Sequence, residues 1–240
     1  MTRERVLVWD GCVNVRDLGG LPLEGGGETC FGVLVRADSI VGLTEAGWAA
    51  LANYGVALAV DLRGEHERTE LDRRHEPPIP VLRIPISPKA GPAWLWPSML
   101  EAYLGILEDF RPQFAEVVDA IADVDAPVVI HCQGGRDRTG LTAALLLRLA
   151  GVDAETIAAD HAVSDESWAP YNVRWFEEAP DEAERARRQR VAAPAGRTMA
   201  EVLAEVDLRY GGVRAYLRDA SPQNIDRIVV RLRGDSADSE

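Results

Sequence analysis

Residues 127–140 read Pro127-Val128-Val129-Ile130-His131-Cys132-Gln133-Gly134-Gly135-Arg136-Asp137-Arg138-Thr139-Gly140, and an apolar stretch, Leu141 to Ala150, follows. The run Pro127 to Ile130 is short, continuous and Val-rich, which suits a strand covered on both faces. Leu141 to Ala150 is apolar almost all round, the pattern of a buried helix, and Gly151 is placed to end it. Working outward, Val56 to Val60, ending in Asp61, repeats the strand pattern. Gly32 to Val35 and Val81 to Ile84 are weaker strand candidates, the second set at an edge by its flanking prolines. Helices are expected from Thr44 to Gly55, from Ser98 with Glu101 and from Thr198 with Glu201 (both at capping-box spacing), and from Ser221-Pro222 to Arg233. Asp109 to Pro112 breaks the helical region Met99 to Ala122 in two. Strands alternating with helices predict an α/β fold: one domain over 1–233 with a central, mostly parallel sheet flanked by helices. Residues 234–240 are expected to be a disordered tail.

The 240-residue chain is 47% hydrophobic and carries 26 Lys plus Arg against 39 Asp plus Glu, a formal net charge of −13. That acidity argues against a nucleic-acid binder or a protein held on anionic lipid, both of which need a basic patch. Cys12, Cys30 and Cys132 are too few for a disulfide framework and fit a reduced setting. No signal peptide is visible, and Leu141 to Leu147 is too short to span a bilayer. A soluble, cytoplasmic chain without nucleic-acid or stable membrane association is expected, its oligomeric state open. Glu177 to Arg197 reads as an exposed helix or connector, with Arg185, Arg187, Arg188 and Arg190 on a solvated face; a basic rim for a charged substrate is the alternative.

The loop between strand and helix carries the chemistry. Adjacent glycines let the backbone curl so that successive N–H groups point into one concavity, and the helix adds its free N-terminal N–H groups. Gln133, Gly134, Gly135 and Arg136 would thereby cradle a tetrahedral dianion, with Arg138 supplying a planar fork for two of its oxygens. Cys132 at the base of the cradle feels the same positive dipoles, which bring a thiol pKa from about 8.5 toward neutrality. A nucleophile and its oxyanion site then occupy one loop. A buried structural cysteine before a capping turn would leave Arg138, Thr139 and both glycines unexplained.

His-Cys, five residues, Arg and Thr resemble the signature of the cysteine-dependent protein tyrosine phosphatase superfamily. More narrowly, the loop resembles that of the bacterial tyrosine/serine phosphatase family, HCxAGKDRTG, with Gly134 in place of Ala and Arg136 in place of Lys. Asn14-Val15-Arg16-Asp17-Leu18-Gly19-Gly20 is similar to that family's N-terminal motif, and Arg36-Ala37-Asp38-Ser39-Ile40 to a second. Asp61-Leu62-Arg63 with Glu67, and Tyr210-Gly211-Gly212-Val213 with Tyr216-Leu217, resemble two more, so the likeness runs from Trp9 to Arg233.

This resemblance implies a protein-tyrosine-phosphatase-like fold that allows a helical lid, no cofactor or metal, and a cysteinyl-phosphate intermediate. It places the general acid on Asp137, with Asp61, at the end of a buried strand, as the rival. Beside Arg136 and Arg138, Asp137 is pushed away from the protonated form that an acid needs. His131 is expected to orient the loop and Thr139 to hydrogen-bond the leaving sulfur, while Arg16, Arg36, Asp38 and Arg63 form buried ion pairs around the pocket. Trp94, Trp96, Met99 and Tyr103, in and after the Pro-rich segment Pro85 to Pro97, read as core or as a lid. The expected partner is a phosphorylated protein, with tyrosine or dual specificity. A phospholipid or inositol phosphate substrate, suggested by Arg136, is the alternative. A phosphate-binding module without catalysis, and a sulfurtransferase or arsenate reductase, are more distant.

Overall fold

The apolar run before the loop forms β5 (Val128–His131), which lies at the centre of the sheet and is buried along its whole length. It pairs in parallel with β2 (Leu34–Ala37) on one side and β3 (Leu58–Asp61) on the other. Beyond β3 lies β4 (Val81–Arg83), parallel and at the edge, as its prolines require. Beyond β2 lies a two-residue antiparallel strand, β1 (Arg16–Asp17). The computed structural model describes residues 4–74, 76–87 and 97–234. The expected tail after Gly234, and Trp94 and Trp96 of the expected lid, fall outside the described residues.

Alternation along the strands builds two cores. Val128 and Ile130 of β5, Leu34 of β2 and Val60 of β3 face the larger one. Val129, Val35 and Ala59 face the smaller one, against Trp48 and Leu51 of α1 (Glu45–Tyr54). The larger core is covered by α3 (Met99–Asp109), α4 (Arg111–Ala122), α5 (Asp137–Ala150), α8 (Gly196–Tyr210) and α10 (Pro222–Arg233). The expected α/β fold with a mostly parallel sheet is present. Thr44 caps α1 by accepting from the Gly47 N–H, and Gly55 and Gly151 end α1 and α5 in the left-handed conformation, at φ 88° and 92°. Short α2 (Glu70–Arg74) and α9 (Val213–Tyr216) complete this frame.

Two helices fill the region after α5, and the second takes the helical alternative expected for Glu177 to Arg197. Ala154–Glu177 forms one long helix, α6, and Glu182–Val191 forms α7, so Glu177 to Arg197 is largely helical. Arg185 and Arg190 lie on the expected solvated face, while Arg187 and Arg188 are half-buried: both pair with Glu184, and the Arg188 guanidinium lies 5.3 Å from the Trp175 ring centre. The last helix of this region starts at Gly196, not after Thr198. Its start is set by tertiary contacts: the Ala195 N–H donates to Asp165 Oδ2 at 3.0 Å, and Gly196 lets α8 approach Ala162, to which a Cβ would come within 2.6 Å.

One buried cluster joins the sheet to α6. Arg16 and Arg36 are register partners on β1 and β2 and almost wholly buried, an arrangement that like charges do not tolerate alone. Asp160 of α6 lies between them, with Oδ1 3.0 Å from Arg16 Nε and Oδ2 2.8 Å from Arg36 Nη1; Arg5 also donates to it. Ser164 Oγ accepts from both buried arginines at 3.1 and 3.2 Å. Burial and the neighbouring Arg36 lower the Arg16 pKa to about 10. Burial would raise the Asp160 pKa, but Arg16 and Arg36 outweigh it and hold the carboxyl far below the usual range. Its contribution to stability is therefore complete above the ordinary carboxylate pKa and drains away as the pH falls toward the depressed one. Asp160→Asn, which leaves two buried cations uncompensated, is expected to cost about 3–5 kcal/mol in urea unfolding at pH 7. A loss below about 1 kcal/mol would show that the cluster is not a buried ion pair in this sense.

Candidate active site

The chain leaves β5 at His131 and turns at once into the loop, with Cys132 only 2% exposed. Three of the loop's carbonyl groups are held by donors from other parts of the fold. Gln133 O accepts from the Ser39 N–H at 3.2 Å, and Gly134 O from Asn14 Nδ2 at 2.9 Å and Trp168 Nε1 at 2.8 Å. Gly135 O accepts from Arg36 Nη2 at 2.9 Å. Because a peptide unit is planar and trans, its N–H points opposite to its C=O. The N–H groups of Gly134, Gly135 and Arg136 thus point away from the donors that hold the carbonyls of Gln133, Gly134 and Gly135. With the first turn of α5, which begins at Asp137, they make a set of donors of the kind that can cradle an anion.

The two glycines are not equivalent. Gly135 has φ +64° and sits so close to β2 that a Cβ would lie 2.5 Å from Ala37 O and Asp38 N. At Gly134 a Cβ would meet only Trp168, whose Nε1 lies at an ordinary 3.8 Å. The family-like pattern has Ala at this position, and the space is there to receive it.

Arg138 is held by a carboxylate and two carbonyls. Nη1 and Nη2 donate to Glu67 Oε2 and Oε1 at 2.5 and 2.6 Å, and Nη1 approaches Leu62 O and Ile86 O at 3.4 and 3.3 Å. Burial alone would lower the guanidinium pKa; Cys132 and Glu67 outweigh it and hold it above its ordinary value. Glu67, kept below its usual range by Arg138 in spite of burial, also accepts from the Gly64 N–H at 2.8 Å.

Asp137 Oδ1 accepts from Tyr103 Oη at 2.6 Å and Arg136 Nε at 3.1 Å. Burial would push the carboxyl up, but Arg136, the Tyr103 hydrogen bond and His161 hold it below the ordinary aspartate value. The rest of the Arg136 guanidinium reaches Val191 O at 2.7 Å, Asp165 Oδ1 at 3.4 Å and Ala193 O at 3.5 Å. Arg136 is therefore engaged by the loop's surroundings rather than presented as an open fork.

Thr139 is fully buried, and its Oγ1 has no hydrogen-bond partner among the described residues. His131 is the cross-strand partner of Asp61, its Nδ1 3.8 Å from Asp61 Oδ1. Burial lowers its pKa to about 4, so it is neutral at physiological pH. Asp61 accepts from Arg63 Nε and Nη2 at 3.0 and 2.8 Å, and Arg63 also pairs with Asp72. Asp61 and Arg63 line a separate cavity of about 30 Å³ with His131 and Trp48, away from the loop's open side. Asp38 accepts from the Val13 and Asn14 N–H groups.

Cys132, Gln133, Gly134, Arg136, Asp137 and Arg138 meet in one cavity of about 500 Å³. Its far wall is Trp168, Tyr171, Asn172 and Trp175 of α6 with Val191 and Ala192 at the end of α7. Among the described residues the wall opposite the loop comes from α6 and α7, while most of Pro85 to Pro97, expected as core or lid, falls outside them. Met99 is half-buried and Tyr103 wholly buried on α3. Sequence reading missed Asp160, His161, Trp168 and the holding role of Glu67. The signals available were Asp153 with Thr156 at N-cap spacing, a stretch free of Gly and Pro up to Pro170, and Glu67 in its motif.

Gly135→Ala is expected to abolish phosphate binding, measured by calorimetry. Gly134→Ala should keep it and leave the melting temperature unchanged or raised, since it restricts the unfolded chain by about 0.4–1 kcal/mol. Equal effects of the two would contradict the loop geometry.

A family model described as tyrosine phosphatase family matches residues 7–234. A tyrosine-protein phosphatase of Nostoc commune is 32% identical over 221 residues, covering 82% of this chain and 73% of that protein. A Cupriavidus necator protein, provisionally named a tyrosine-protein phosphatase, is 30% identical over 251 residues, with 95% and 87% covered. The triple specificity protein phosphatase PtpB of Mycobacterium tuberculosis is 33% identical over 120 residues, 45% of this chain and 43% of that protein. A match that runs from the N-terminal motif to the last helix, together with tyrosine-protein phosphatases 30–32% identical over most of the chain, shows that this chain belongs to the tyrosine phosphatase family and is a phosphatase.

Proposed function

We propose that the enzyme hydrolyses phosphotyrosyl proteins, and phosphoseryl or phosphothreonyl ones more slowly, through a phosphocysteine. The observation that carries this reading is the cradle itself: three inward N–H groups and a carboxylate-held Arg138 gathered around the one buried cysteine of the loop. In the first step the Cys132 thiolate attacks phosphorus, the S–P bond forms and the ester P–O bond breaks. Asp137 gives its proton to the departing oxygen. In the second step water attacks phosphorus and loses a proton to the Asp137 carboxylate. The S–P bond breaks, releasing inorganic phosphate and a thiolate to which the Thr139 hydroxyl can donate. The cradle's N–H groups and Arg138 meet the charge on the equatorial oxygens throughout.

Position favours Asp137 over Asp61 as the acid, because Asp137 lines the cavity with Cys132 while Asp61 is bound to Arg63 on the other side of His131. The arriving phosphate dianion supplies what the free site lacks: negative charge that raises the Asp137 pKa toward the protonated form. Trp168, Tyr171 and Trp175 give the cavity flat apolar walls suited to an aryl ring. An inositol phosphate reading needs Arg136 as a second phosphate fork, but its Nε, Nη1 and Nη2 all donate, to Asp137, Asp165, Ala193 O and Val191 O, whereas Arg138, held through its Nη atoms by Glu67, keeps its Nε–H for the phosphate. We place the enzyme in the cytoplasm, where its three free cysteines stay reduced. No helix among the described residues is long and apolar enough to cross a membrane.

Cys132→Ser should lower turnover of a phosphotyrosyl peptide below about one-thousandth of wild type, with phosphate binding retained. EDTA should leave the wild-type rate unchanged. In a panel of phosphopeptides and phosphoinositides, the phosphotyrosyl peptides should show the highest kcat/KM. A phosphoinositide ranked first would overturn the substrate assignment, and near-wild-type turnover by Cys132→Ser would overturn the mechanism.

A further inference from the structure

We infer that Tyr103, oriented by His161, is a positioning residue for Asp137: it occupies one carboxylate oxygen and leaves the other for proton transfer to the ester. The inference rests on the reading of Asp137 as proton donor. Tyr103 comes from α3, His161 from α6 and Asp137 from the first turn of α5, and neither Tyr103 nor His161 is more than 1% exposed. Tyr103 Oη and Arg136 Nε both donate to Oδ1, at 2.6 and 3.1 Å, while Oδ2 accepts no hydrogen bond among the described residues. Negative charge is best kept on the oxygen that accepts two hydrogen bonds, so the transferable proton belongs on Oδ2.

The tyrosine hydroxyl has one proton, and Oδ1 takes it. His161 Nε2 lies 3.3 Å from the same Oη, so Nε2 carries the hydrogen that Oη accepts and fixes the direction of the hydroxyl. The two rings meet edge to face with centres 5.9 Å apart. Gly140 makes room for the imidazole, since a Cβ there would stand 2.5 Å from the ring.

The groups around Asp137 are Arg136 and Cys132 of the loop, Arg138 of α5, Tyr103 of α3, and His161 and Asp165 of α6. Burial and Arg36 push His161 down to about 3, and burial with the Asp137 charge pushes Tyr103 well up, so both stay neutral around pH 7. Removing the tyrosine hydroxyl takes a donor from ionised Asp137 and so raises its pKa. Because the reaction needs the acid form, activity that falls with rising pH should fall at a higher pH in the variant.

The test measures kcat and the pH profile of kcat/KM for wild type, Tyr103→Phe, Asp137→Asn and the double variant, on phenyl and p-nitrophenyl phosphate. Tyr103→Phe is expected to slow phenyl phosphate, whose leaving group needs the proton, about tenfold, and p-nitrophenyl phosphate no more than about threefold. The alkaline limb should move up, and adding Tyr103→Phe to Asp137→Asn should cost nothing further. Equal slowing of both esters, an unmoved limb, or a full additional loss in the double variant would overturn the inference. If Asp137→Asn itself leaves phenyl phosphate turnover unchanged, the reading of Asp137 as acid fails and the inference falls with it. If Asp137→Asn is slow and Tyr103→Phe is silent, the inference alone fails. Should Tyr103→Phe lose its cooperative melt, His161→Leu is measured instead and should show the same selective loss. His161→Gln, whose amide N–H replaces Nε2–H, should restore the wild-type profile; equal behaviour of the two histidine variants would count against the orienting role.

Discussion

A loop that binds a dianion through its N–H groups must dispose of its carbonyls, and this molecule turns them outward onto fixed donors. Arg36, Asn14, Trp168 and the Ser39 N–H take the carbonyl oxygens of Gln133, Gly134 and Gly135. Arg36 can stand against the loop only because Asp160 neutralises it together with Arg16. A buried ion cluster on one side of the loop thus sets the hydrogen-bonding face presented on the other. The same donors come from β2, from the segment before β1 and from α6, so the cradle depends on the whole central fold rather than on the loop alone.

Charge is distributed by the same logic. The chain carries a formal net charge of −13, yet its anion site needs no basic surface. In the proposed mechanism the attraction for an anion comes from backbone dipoles, the start of α5 and Arg138, all local to the loop of an otherwise acidic chain. A single phosphoryl group suits such a site better than a polyanion gripped along a face, and attraction at that short range is only weakly screened by salt.

Much of this was legible in the sequence where the determinants are local. The Val-rich run before His131 and the apolar stretch after Gly140 define β5 and α5, and Thr44, Gly55, Gly151 and Pro112 mark helix ends by their own backbone chemistry. What was not legible depends on distant pairing. β1 is two residues long and has no period to read. Asp160 lies 144 and 124 residues from the arginines it neutralises, and nothing in its neighbourhood marks it as their partner. Thr198 has good capping spacing, but Ala195 bound to Asp165 overrides it. The aromatic wall of α6 shows no motif of its own, and becomes part of the site only because Trp168 hydrogen-bonds the loop at Gly134.

In the proposed mechanism Cys132 takes the phosphoryl group covalently inside the cradle. Acid quenching within the first turnover of an aryl phosphate, followed by mass spectrometry of the digested protein, tests it most directly. The expected product is a phosphoryl group on the peptide that contains Cys132, attached through sulfur. A phosphoryl group on any other residue, or turnover that proceeds with no phosphoenzyme formed at any time, would contradict it.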